Sequence, residues 1–135
     1  MTTFPYDLAA RVLREAIEAS EAPSSVTILD AGGNLVAFAR MDGAPLASIE
    51  ISRGKAFTAA AMGMPSGDLL GAVQPGAPYY GFQTTHGGLP VVFAGGLPIR
   101  RDGQLIGAVG VAGGSTDQDT AAATAGVAAA ERTAG

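Results

Sequence analysis

Ser25-Val-Thr-Ile-Leu-Asp-Ala-Gly-Gly-Asn-Leu-Val-Ala-Phe-Ala-Arg-Met-Asp-Gly43 decides the fold. Two β-rich apolar runs flank Ala31-Gly32-Gly33-Asn34, a tight reversal, so Ser25 to Met41 reads as a hairpin closed by Asp42-Gly43. Upstream, Leu8, Val12, Leu13, Ala16 and Ile17 recur at helical spacing, with Arg11, Arg14, Glu15 and Glu18 on the other face. Thr3 is the expected cap of that helix, Pro5 and Asp7 fall in its first turn, and Pro23 ends it. Downstream, Ile49 to Met62 predicts a second helix, with Ser48 as N-cap and Gly63 and Pro65 as its stop. Ser66 starts a short helical turn through Leu70, and residues 74–89 are irregular. Pro90 to Ala94 reads as a short strand that Gly95-Gly96 interrupts and Leu97 to Arg100 continues. Arg101-Asp102-Gly103 turns the chain, and Gln104 to Ala112 returns, giving a second hairpin. Thr116-x-x-Asp119 resembles a capping box for a last helix over about Asp117 to Glu131. The order α-β-β-α-loop-β-β-β-α predicts an α+β layer fold on an antiparallel sheet of about five strands.

The chain has 135 residues, of which 27 are Ala and 20 are Gly. One domain, residues 1–135, is the natural reading, but residues this small each bury little apolar area. Close packing of helices on the sheet, or a homo-oligomer interface, must supply the rest. Charged residues are 15% of the chain and apolar runs alternate with turns, which argues for a folded chain over a disordered one. The net charge is −4 and the eight basic residues are scattered, so no face is built to displace counterions from nucleic acid. With no Cys, there are no disulfides, thiolate metal sites or cysteine nucleophile. The N-terminus has no leader pattern, and no apolar run approaches the roughly 18 residues of a membrane span. A cytoplasmic protein without a membrane partner is the expectation.

Several stretches together resemble the GlcG/HbpS haem-binding family, also found as the C-terminal domain of PduO-type proteins. They are Asp30 to Pro45, Lys55 to Ala60, Gly95 to Ile99, and Gly103 to Gly114, and the likeness spans roughly residues 5–130. The resemblance implies a profilin-like α/β/α sandwich with helices on both faces of the sheet, assembly into homo-oligomers, and haem as a cofactor. Some relatives carry a His on the first helix. Here Tyr6 to Glu21 has none, and His86 is the only His.

His86, between Thr84-Thr85 and Gly87-Gly88, is a candidate haem ligand or general acid/base. The plainer alternative is a surface-loop His. Lys55 is the only Lys, on an Ala-rich helix, and matches a Lys of the resembled family. A desolvated Lys could act as a base or anchor a carboxylate, while a salt bridge is the bland reading. Glu50 and Arg53 share a helical face, where a mutual ion pair is the simpler reading. Glu50 and Lys55, five apart, do not converge. Tyr79, Tyr80 and Phe82 hold three of eight aromatics, fit to line a pocket for a flat ligand or to pack the loop's own core. Gly95-Gly96 suggests backbone close to a ligand or close packing of helices. Arg40 and Asp42, at a strand end, could orient a carboxylate. One His and no Cys give no metal-ligand spacing.

The first reading is a small-ligand-binding protein for haem or another flat anionic molecule. Its pocket would lie between the helix around Lys55 and the 79–96 loop. The second is a cofactor-free acid/base enzyme (isomerase, lyase or hydrolase) in which His86 or Lys55 moves a proton on a small carbonyl or carboxylate substrate. The third is an assembly module without a ligand.

Overall fold

Alternation along the first strand, β1 (Ser25–Asp30), sends Val26 and Ile28 to one side and Ser25, Thr27 and Leu29 to the other. Both sides are buried, so β1 sits inside the sheet. In the computed structural model, which describes residues 4–132, β1 pairs antiparallel with β2 (Leu35–Arg40) on one edge and with β4 (Gln104–Ala112) on the other. β3 (Gly96–Arg101) closes the far side against β4, giving the order β2-β1-β4-β3. The turn between β1 and β2 is fixed by Asp30, whose Oδ1 accepts from the amides of Gly32 (3.0 Å) and Asn34 (2.9 Å).

Helices α1 (Tyr6–Ala19) and α3 (Thr116–Arg132) pack on each other and on one face of the sheet. There Leu8, Val12, Val26, Ile28, Val109 and Val111 form the main apolar core. Helix α2 (Ala47–Met62) covers the other face, mainly over β4, β1 and β3. The result is the expected α+β sandwich with helices on both faces. Gly63, in the left-handed region (φ 66), ends α2, and its amide donates to Ala59 O at 2.9 Å.

The sheet has four strands, not about five. Pro90 to Ala94 pairs with no strand, because its polar groups are committed to other partners. The Val91 amide donates to Thr58 Oγ1 of α2 at 3.0 Å, and Phe93 O accepts from Ser66 Oγ at 2.9 Å. The segment between α2 and β3 holds three 3-10 turns (Ser66–Val73, Phe82–Thr84, His86–Gly88). It has its own small core of Leu69, Val73 and Val92, with Met64 and Phe82 against it.

The capping box of α3 is shifted by one residue from the expected Thr116-x-x-Asp119. Ser115 Oγ accepts from the Gln118 amide at 3.1 Å, and Gln118 Oε1 accepts from the Ser115 amide at 2.9 Å. Asp119 is thereby free for another task. The expected Thr3 cap of α1 lies outside the described residues.

Candidate functional site

Helix α2 presents two unlike faces. Its inner face carries Ser48, Ser52, Lys55 and Thr58, all buried. Ser48 Oγ lies 2.8 Å from Ser25 Oγ, and Ser52 Oγ lies 2.7 Å from Thr27 Oγ1, so two hydroxyl pairs dock the helix on β1. Glycines let the backbones meet. A Cβ on Gly110 would fall within 2.6 Å of Ala56 N, and one on Gly96 within 2.7 Å of the Lys55 carbonyl carbon. Both are closer than real Cβ atoms come.

Lys55 is 1% exposed. Its Nζ donates to Val111 O at 2.9 Å and to Asp119 Oδ2 at 3.0 Å, forming a buried ion pair between α2 and α3. Asp119 Oδ1 in turn accepts from the Gly114 amide at 3.0 Å. Desolvation pushes the Lys55 pKa down from 10.5, and the hydrogen bond and charge of Asp119 oppose that shift. The Phe93 ring centroid is 5.6 Å from Nζ. Beside the pair is a cavity of about 180 Å³ whose wall includes Pro45, Ala47, Ile51, Phe93 and Thr116. Asp119 is the residue that sequence reasoning missed. It was read as a helix cap, and its partner lies 64 positions away.

The outer face of α2 carries Glu50, Arg53 and Phe57 in one stripe, at spacings of three and four residues. Glu50 and Arg53 are exposed, and among the described residues no ion pair joins them. On one flank they line a groove of about 350 Å³ with Leu35, Phe38 and Ile49. On the other flank, Glu50 and Ile51 face Gly88, Leu89 and Val91 across a groove of about 220 Å³. His86 lies over the same stripe, its ring 5.2 Å from that of Phe57. It is exposed, and its Nδ1 lies 3.0 Å from Thr85 Oγ1. Among the described residues Nε2 has no partner, so it can take a ligand. His86 has φ 52, a left-handed conformation uncommon for a residue with a side chain.

The structure thus puts Glu50, Arg53 and His86 on the outer side of α2 and Lys55 on the inner side. Tyr79 and Tyr80 are exposed around a shallow hollow of about 280 Å³ with Gly81, Phe82 and Thr85. Phe82 also packs on the loop's own core. Arg40 Nη1 donates to Ala44 O at 2.9 Å, at the end of β2. Gly95 and Gly96 are buried, the Gly96 amide donates to Ser66 Oγ at 2.9 Å, and Gly95 O accepts from the Val111 amide at 2.9 Å. Those groups are used in packing the sheet. Among the described residues no three His, Asp or Glu side chains gather as a metal site, and no helix is long and apolar enough to cross a membrane.

A family model described as "Haem degrading protein HbpS-like" matches residues 5–128. The chain is 42% identical over 115 residues to an uncharacterized 15.0 kDa protein in the dhaT-dhaS intergenic region of Citrobacter freundii, covering 82% of this chain and 81% of that one. The crystal structure of Klebsiella pneumoniae protein ORFY superposes with a TM-score of 0.94 at 31% identity, over 97% of this chain and 92% of that one. The crystal structure of a PduOC:haem complex superposes with a TM-score of 0.90 at 37% identity, over 95% of each chain.

Proposed function

Since the chain belongs to the HbpS-like family, we propose that it is a small-ligand-binding protein whose ligand is haem or another flat anionic molecule. The observation that carries this reading is the likeness, over 95% of the chain, to a protein whose structure is a haem complex. The outer face of α2 supplies what such a ligand needs. Arg53 is an exposed cation fit to meet a carboxylate. Leu35, Phe38 and Ile49 offer apolar surface to a ring system. His86 keeps an uncommitted imidazole nitrogen over the same helix. Haem, when bound, would supply an iron centre that the chain's own side chains lack. The protein's part would be to hold that group by His86, neutralise its acid groups at Arg53, and cover its faces.

Hemin titration tests the reading. A saturable shift of the Soret band from its free-hemin position is expected, and His86→Ala should change that shift. No shift would overturn haem as the ligand, and a shift unchanged in His86→Ala would overturn ligation by His86.

We infer further that the chain self-associates. Leu35 is 61% and Leu46 84% exposed, and β2 is an open sheet edge. Light scattering on the purified chain should give a mass at least twice 13.4 kDa, and a mass of 13.4 kDa would overturn self-association.

A further inference from the structure

We propose that the cavity beside Lys55 and Asp119 is a second ligand site, built for a small aliphatic monocarboxylate. Its volume of about 180 Å³ is below the roughly 300 Å³ of drug-sized pockets. A macrocycle does not fit there, whereas an acid of a few carbons does. Pro45, Ala47, Ile51 and Phe93 give it apolar walls, and the charged pair contributes to its lining. An ammonium group carries three N–H donors. Val111 O and Asp119 Oδ2 take two, and among the described residues no acceptor takes the third.

Asp119 is differently placed. Its two oxygens are matched by Lys55 Nζ and the Gly114 amide, so each already has a donor, and the free hydrogen-bonding capacity of the pair lies on the lysine. The donor left at the cavity is the third ammonium N–H, beside Thr116 in the wall. A carboxylate oxygen there completes the lysine's donor set. A short alkyl tail then lies against Ile51 and Phe93. The site shares Ile51 with the groove on the outer face of α2, but uses neither Arg53 nor His86.

The test is a titration of the purified chain with sodium butyrate, followed by amide NMR. Saturable shifts are expected at Gly113, Gly114 and Thr116, with a Kd on the order of 1 mM. Butan-1-ol, of like size but without charge, should bind at least about tenfold more weakly. Ala47→Phe fills the cavity from its exposed rim without touching the ion pair. It should abolish the butyrate shifts and leave the remaining amide spectrum intact. The proposal is overturned if butyrate gives no saturation, if sodium chloride or butan-1-ol gives the same shifts, or if Ala47→Phe binds butyrate unchanged. None of these readouts depends on hemin.

Discussion

The two faces of the sheet are held by different physics. Against α1 and α3, the sheet offers Val26, Ile28, Val109 and Val111, and the contact is side chain into side chain. Against α2, it offers Ser25, Thr27, Ala108 and Gly110, and beside a small apolar cluster of Leu29 with Ala56, Phe57 and Ala59 the contact is hydroxyl to hydroxyl and backbone to backbone. The first face gains from apolar area removed from water. The second gains little area per residue and is fixed by directional bonds, close approach and one buried ion pair. An apolar face tolerates small shifts of its helices, whereas the α2 face has one position at which its hydrogen bonds close. The helix that carries the candidate ligand residues is the one placed most exactingly.

The sharpest way to break that contrast is Lys55→Met. It strands the Asp119 carboxylate in the interior and should cost about 4 kcal/mol in urea denaturation. The double change Lys55→Met/Asp119→Leu should recover most of that loss. A single change costing under about 1 kcal/mol would show that water reaches Asp119 after all.

A smaller effect compares growth with shrinkage. Gly110→Ala adds one methyl where α2 backbone already sits and should cost about 3 kcal/mol, read as a fall in the denaturation midpoint. Ile28→Ala on the opposite face should cost a similar amount by leaving a hole. If Gly110→Ala is neutral, α2 has slack and the account of that face is wrong.

The pH dependence is weaker and has a defined sign. Burial lowers the folded pKa of Lys55 below 10.5. Between the lowered value and 10.5, the unfolded chain holds a proton that the folded chain has released, so folding gains as pH rises through that window. The stability difference between wild type and the double variant should therefore grow with pH toward 10.5. A difference that shrinks would mean that Asp119 outweighs desolvation.

Smallest in stability is Arg53→Ala. On the exposed stripe it should alter stability by less than about 0.5 kcal/mol, while weakening hemin binding several-fold in the Soret titration. Equal affinity would remove Arg53 from the ligand site.

How much of this was legible in the sequence follows the same division. Both hairpins, α1 and α2 are written locally, in turn residues and in apolar spacing. The strand expected at Pro90 to Ala94 has the right residue types. What denies it a partner is Thr58, 33 positions away on α2. Lys55 drew notice as a lone lysine, but its partner sits on a helix of Ala and Thr with no sharp apolar stripe. Nothing local distinguishes Asp119 from a cap. For Gly95-Gly96 the sequence leaves two readings open, backbone close to a ligand or close packing of helices, and the structure shows the second at Gly96. At Gly110 nothing local marks the contact, and only the position of α2 reveals it. Long-range pairing of polar groups leaves no periodic trace in a sequence.

The glycines under α2 also bear on how such a domain diversifies. With the inner side of the helix fixed to the sheet, substitutions that keep the fold are confined to the outward stripe around Glu50, Arg53 and Phe57. Glu50 and Arg53, both exposed, can be exchanged without disturbing the seat of the helix, whereas Phe57 also packs on the cluster of Leu29, Ala56 and Ala108 beneath it. The surface that this helix shows to solvent can thus change while its foundation stays intact.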